Sequence, residues 1–340
     1  MVSQQSALLM LSRIGLYLRG YKRTAVFAIT NACNCKCVMC NMHRQDPAYL
    51  PLHDGLRLLD FLYDNKFMIV YFTGGEPTFH PDLISFIRHA NRLRLVTSMT
   101  TNGTSSMTAL EQLRQAGLDI LSVSLDHWDS KVCERLRGHR GIQAKQEAKL
   151  RYAKEIGLRV YALAYLSPLL CEDGAIRTFV EYADHRLDVP VAFCFPTACD
   201  ENTFHLCDVG PELDYAKFYD AISTILQLKR GGHRIVNPTV YLEDVLRFLR
   251  RKSPTIYCRG GKDVIYIDWL GNAYPCFSRS KLFNALEDAP RFLHHVQCNN
   301  CVINCFREPS IFARFPPRLT LAFHEYPILS FLFRKQQRST

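Results

Sequence analysis

From residue 24 onward, short runs rich in β-branched and aromatic residues alternate with helical patterns. This rhythm restricts the chain to a mostly parallel sheet covered by helices. TAVFAIT (24–30), FMIVYF (67–72) and LRLVTSMT (93–100) are the first three runs. DILSVSLD (119–126), LRVYALAY (158–165) and VPVAFCF (189–195) follow. Between them, Leu56, Leu59 and Leu62, then Leu83, Phe86 and Ile87, then Leu110 and Leu113 mark helical stripes, and Gly117 and Gly157 close helices. Ile176, Phe179 and Val180 mark another stripe, and a longer helix is expected over 215–228.

Six such units make a partial barrel, since a closed eight-unit barrel needs about 250 residues and the pattern changes near 231–240. In DVIYIDWLGNAYPC (263–276) a strand, a turn at Gly271-Asn272 and a second strand read as a hairpin. The expected fold class is therefore α/β: a partial (β/α)6 TIM-type barrel with a small C-terminal cysteine-rich β-hairpin domain. The boundaries read as an N-terminal amphipathic segment (1–23), the barrel (24–240), the cysteine-rich domain (241–310) and a tail (311–340).

The chain holds 14 cysteines, most of them in two groups. Its start, MVSQQSALLMLSRIGLYLRGYKR, lacks the early basic segment and small-residue cleavage site of a signal peptide. A cytoplasmic location is expected, where grouped cysteines bind metal or do chemistry more often than they form disulfides. No run reaches the roughly 18–20 apolar residues of a membrane span. Two apolar stretches, Ala7 to Leu18 and Tyr326 to Phe333, are followed by basic residues. Each either packs on the protein or makes a peripheral contact at the cytoplasmic membrane face. The net charge of +10 suits an anionic partner, but no dense basic tract or recognition motif predicts specific nucleic-acid binding.

The first strand runs into Cys33-Asn34-Cys35-Lys36-Cys37-Val38-Met39-Cys40. Thiolates are soft donors that suit iron–sulfur clusters and zinc. Three of them would leave one iron of a cubane open, and Cys33, Cys37 and Cys40 have the spacing to wrap three corners, with Cys35 expected to point away. Zinc would take a fourth ligand from Cys35 or His43. Gly74-Gly75-Glu76-Pro77 follows the second strand, where paired glycines let backbone approach a ligand closely. Thr101-Asn102-Gly103 follows the third, and Ser124-Leu125-Asp126 ends the fourth. Residues at the C-terminal ends of successive parallel strands converge on one mouth.

The C-x3-C-x2-C loop, the GGE run, TNG and SLD, in this order after four strands, resemble the radical S-adenosylmethionine superfamily. The resemblance covers roughly residues 24–310. It implies a 4Fe–4S cluster on Cys33, Cys37 and Cys40, with the methionyl amine and carboxylate of S-adenosylmethionine on the fourth iron. Gly74, Gly75 and Glu76 would bind the methionyl amine, while Thr101, Asn102, Ser124 and Asp126 would face the cofactor or the substrate. The resemblance further implies reductive cleavage to a 5′-deoxyadenosyl radical, which abstracts a hydrogen atom from the substrate or adds to it. The electron would come from a low-potential donor such as flavodoxin or ferredoxin.

Cys258 precedes Gly271 by twelve intervening residues, Cys276 follows it after four, and Cys298, Cys301 and Cys305 come later. This resembles the SPASM or twitch auxiliary-cluster domains, without the full seven-cysteine pattern. One auxiliary 4Fe–4S cluster is implied, on Cys258, Cys276 and Cys298, with Cys301 or Cys305 as the fourth ligand. Structural zinc is the alternative. Cys133, Cys171, Cys194, Cys199 and Cys207 read as buried hydrophobes. Similar domains act on peptides, sugars, cofactor precursors and lipids. The apolar, basic-flanked ends make a lipid or isoprenoid substrate reasonable, and the arrangement also resembles radical enzymes of hopanoid biosynthesis. A ribosomal-peptide substrate and a non-catalytic iron–sulfur or zinc scaffold are the competing readings.

Overall fold

The structure, a computed structural model, describes residues 11–13, 15–196, 214–287, 298 and 301–313. Strands β1 (Arg23–Thr30), β2 (Phe67–Gly74), β3 (Val96–Thr101), β4 (Ile120–Ser124), β5 (Arg159–Tyr165) and β6 (Val191–Cys194) pair in parallel, each with the next. Between them run helices α1 (Leu52–Asp64), α2 (Leu83–Arg92), α3 (Met107–Ala116), α4 (Ser130–Arg137), α5 (Ile142–Glu155) and α6 (Ala175–Glu181). Strand alternation sorts the two faces of the sheet. Phe27, Val70, Phe72, Met99, Leu121 and Val123 pack in one core with Leu59, Leu62, Phe86 and Leu113 of the helices. Each such buried apolar side chain contributes about 1.5–3 kcal/mol. Val26, Ala28 and Tyr71 point to the opposite face.

The hairpin expected at 263–276 forms, but it does not stand apart from the barrel. Strand β7 (Val264–Ile267) pairs in parallel with β1, then antiparallel with β8 (Asn272–Tyr274), which carries β9 (Phe283–Asn284). One sheet results, in the order β6-β5-β4-β3-β2-β1-β7-β8-β9. The reason lies in VIYI, all four of whose residues are buried. Burial on both faces is the pattern of an interior strand.

Helices α7 (Tyr215–Arg230) and α8 (Thr239–Leu249) connect the barrel to β7, and α9 (Asn304–Phe312) packs against β1, β7 and α8. A fully buried ion pair ties this corner. The Arg307 guanidinium donates to Asp244, to the Ile256 carbonyl at 2.8 Å and to the Cys301 carbonyl at 2.7 Å. The Asp244 carboxylate also accepts from the Thr255 hydroxyl at 2.8 Å and from the backbone N–H of Thr255 and of Ile256.

Of the N-terminal apolar segment, the described part packs on the protein. Leu16 is buried, and Arg13 donates to Asp119 at 2.8 and 2.6 Å and to the Leu95 carbonyl at 2.9 Å. Leu11 and Leu18 are exposed. The second apolar stretch, 326–333, lies outside the described residues. Among the described residues no helix is long and apolar enough to cross a membrane.

Candidate active site

The chain following β1 is pressed against the end of β2 by two glycines. Gly75 N–H donates to the Thr30 carbonyl and Glu76 N–H to the Ala32 carbonyl, each at 2.8 Å. A Cβ on Gly74 would lie 2.0 Å from Thr30 O, and one on Gly75 would lie 2.3 Å from Ala32 O. Gly74 also has φ 129°, a conformation that costs other residues dearly. Glycine is thus required at both positions to bring the cysteine loop against the strand mouth.

Glu76 is fully buried and accepts from Thr78 N–H and its hydroxyl, from the Thr101 hydroxyl at 2.8 Å and from Asn102 N–H at 2.6 Å. Burial pushes its carboxyl up, against hydrogen bonds that favour the ionised form. Its side chain is therefore a brace between the ends of β2 and β3. Asn102 in turn donates to Asn34 Oδ1 at 2.9 Å and to Cys33 Sγ at 3.8 Å. Thr104 hydrogen-bonds both asparagines, so the TNG turn grips the start of the cysteine loop.

Ser124 is buried at the end of β4. Asp126, expected to face the cofactor or the substrate, is wholly buried and engaged by protein groups. It pairs bidentately with Arg137, whose Nη2 is 2.8 Å away, and accepts the Tyr165 N–H at 2.9 Å. Arg137 also reaches Cys37 Sγ at 3.9 Å. Sequence reasoning passed over Arg137. Its one signal is its place as the last helical residue before a glycine, which aims a last-turn side chain back across the loop.

The thiols of Cys33, Cys35 and Cys37 lie together. Cys35 does not point away: its thiol, 3.9 Å from Asn34 Oδ1, adjoins those of Cys33 and Cys37. That contact lowers Cys33 and, with the Arg137 charge, draws Cys37 down to about 6. Burial pushes Cys40 up to about 12. A tight turn, Cys40 N–H to Cys37 O at 3.1 Å, keeps these two adjacent. Among the described residues, no group of three or more His, Cys, Asp or Glu side chains is arranged about a point as ligands to one metal ion. The donor chemistry nevertheless fits a soft metal group, with two of the loop's thiols biased toward thiolate.

In the second group, the Cys258 and Cys298 thiols hydrogen-bond each other, drawing Cys298 down to about 6. Both feel Cys301 or Cys276 nearby. Cys305 sits elsewhere, with Glu308, Tyr71, Tyr161 and Cys194 as its electrostatic neighbours. Beside these runs a row of hydroxyls across four adjacent strands: Tyr71 bonds Thr100, Thr100 bonds Ser122, and Tyr161 stands opposite Ser122 on the next strand. Cys133 and Cys171 are buried as expected, while Cys199 and Cys207 lie outside the described residues.

The sequence profile of the Radical SAM superfamily matches residues 27–174, from within β1 to the start of α6. Residues 27–174 form a radical SAM domain. A probable GTP 3′,8-cyclase of Sulfurisphaera tokodaii is 26% identical over 265 residues, 74% of this chain and 79% of that protein. A PqqA peptide cyclase of Rhodopseudomonas palustris is 28% identical over 143 residues, 41% of this chain and only 38% of that protein. Among solved structures, SuiB of Streptococcus suis bound to S-adenosylmethionine superposes with a TM-score of 0.62. It covers 82% of this chain and 67% of SuiB at 18% identity, a likeness of fold. The radical SAM sheet of this chain is thus the partial barrel expected, with β7 added beside β1. Its chemistry is S-adenosylmethionine binding and radical generation on a substrate still to be identified.

Proposed function

We propose that Cys33, Cys37 and Cys40 hold a 4Fe–4S cluster and that the ends of β2, β3 and β4 hold S-adenosylmethionine against it. The observation that carries this reading is the double clamp on the cysteine loop, glycine-to-backbone at one side and Asn102 to Cys33 and Asn34 at the other. Bound there and reduced by an external one-electron donor, such a cluster would supply the electron for reductive cleavage of the sulfonium. The chain's own part is placement. Gly74 and Gly75 keep backbone groups at the surface of the mouth, Glu76 locks β2 to β3, and the buried sheet face excludes water from the radical. Cys35 would have to turn away from Cys33 and Cys37 as the cluster loads. Anaerobic reconstitution with S-adenosylmethionine and dithionite tests this: the wild type forms 5′-deoxyadenosine, and Cys37→Ala forms none. Cluster-dependent formation by Cys37→Ala would sink the assignment.

For the second group, the neighbourhoods favour Cys258, Cys276, Cys298 and Cys301 as four ligands of a SPASM- or twitch-like auxiliary cluster. Four thiolates leave no open position, which suits electron transfer or bracing better than substrate binding. Structural zinc remains the competing occupant, separated by iron, sulfide and zinc content per chain.

The row of hydroxyls favours a polar substrate, because each hydroxyl keeps acceptor capacity beyond the bonds within the row that a polar molecule can use. Relatives named for GTP and for a peptide agree with this. A lipid or isoprenoid substrate draws on the apolar ends, of which the described part is engaged with Asp119. Liposome flotation discriminates: a protein that stays wholly unbound disfavours the lipid. The electron donor is expected to be a flavodoxin or ferredoxin, to be tested by replacing dithionite with each.

A further inference from the structure

Helix α4 is docked on the cysteine loop in a fixed register. Lys36 N–H donates to the Arg137 carbonyl at 3.0 Å and Val38 N–H to the Leu136 carbonyl at 2.9 Å. These bonds flank Cys37 on both sides. Gly138 ends the helix at φ 58°, and a Cβ there would lie 2.4 Å from Lys36 O, so the contact tolerates no side chain. The backbone thus sets Arg137 opposite Cys37, and the wholly buried Asp126 holds the guanidinium there through two hydrogen bonds.

We propose that Arg137, oriented by Asp126, is a positioning residue that sets the reduction potential of the metal group bound through Cys37. This rests on the cluster assignment made above. Net charge and hydrogen bonds to the sulfurs are among the protein's levers on such potentials. A guanidinium N–H aimed at Sγ withdraws charge from the ligand and favours the reduced form, whereas the Asp126 carboxylate, on the far side of the guanidinium, opposes it. Arg137 and Asp126 therefore act with opposite signs on one quantity.

The test is an anaerobic redox titration followed by electron paramagnetic resonance of the reduced cluster whose signal changes on adding S-adenosylmethionine. That response separates it from any auxiliary cluster. Arg137→Gln should shift the midpoint to more negative potential, and Asp126→Asn to more positive potential. Arg137→Lys, which keeps the charge, should load iron as the wild type does and fall between wild type and Arg137→Gln. Opposite shifts support the proposal, because a loosened loop would move both variants alike or only lower iron content. Equal midpoints, or shifts of the same sign, overturn it while leaving the cluster assignment intact. A wild type whose responsive signal survives in Cys37→Ala overturns the cluster assignment and this inference together.

Discussion

Arg307→Met offers a quantitative test of how the second cysteine group is supported. Arg307 and Asp244 are each 1% exposed at the side chain, so their attraction is barely screened. Removing the guanidinium strands a buried carboxylate, for which about 3–5 kcal/mol is the usual loss. The Ile256 and Cys301 carbonyls lose a donor at the same time. Part of that cost is already contained in the pair, so about 4 kcal/mol is the working value. This is a large share of a typical domain stability of about 5–15 kcal/mol. Asp244→Asn added to Arg307→Met removes the stranded charge but keeps an acceptor for Thr255 and Ile256. The double variant should regain about 2 kcal/mol, the scale of coupling between contacting residues. Urea unfolding with linear extrapolation, done anaerobically, reads both values. Metal content should fall at Cys258, Cys276, Cys298 and Cys301, because Ile256 lies two residues before Cys258 and Cys301 bears the bonded carbonyl. A loss below about 1 kcal/mol for Arg307→Met, or additive losses in the double variant, would refute the reasoning.

Gly75→Ala places a methyl against backbone oxygen and should cost about 1–3 kcal/mol by overpacking, with 5′-deoxyadenosine formation falling further than stability. Thermal unfolding and product assay check the two together. Cys301→Ser should strip metal from the second group, whereas Cys305→Ser should leave it loaded, as elemental analysis of the purified variants would show. Ser122→Ala removes one of the two hydroxyl partners of Thr100 and should cost about 0.5–1.5 kcal/mol, since Thr100 keeps its bond with Tyr71, an effect read by urea unfolding.

The six parallel strands were legible because a strand buried on both faces is a run of apolar residues, and β1 is one. Their ends were not. The third run began at Leu93, but Arg94 takes φ 64° in the turn after α2, so β3 starts at Val96. Asp126 was read as part of the fourth strand and lies beyond it. The turn at Gly271-Asn272 identified the hairpin, yet local pattern carries no information on which distant strand β7 will join. The motif residues after each strand could be named because they cluster in sequence. The contacts that give them meaning come from elsewhere. The gathering of Cys35 with Cys33 and Cys37 depends on loop conformation. The Asp126–Arg137 pair needs the docking of α4. The row of hydroxyls needs the register that sets Thr100 beside Ser122 and Ser122 beside Tyr161.

The position of β1 between β2 and β7 has a consequence for assembly on the ribosome. One edge of β1 meets its partner soon after residues 67–74 emerge, but the other stays bare until 264–267 are made. Through that interval the nascent chain presents an open strand edge, the feature that invites pairing with other chains. The reactive thiols begin three residues beyond the same strand. The last strands to appear thus act as the closing panel of the cysteine-bearing half, and a polypeptide stopped before Val264 would be a sticky, oxidation-prone fragment rather than a smaller working enzyme.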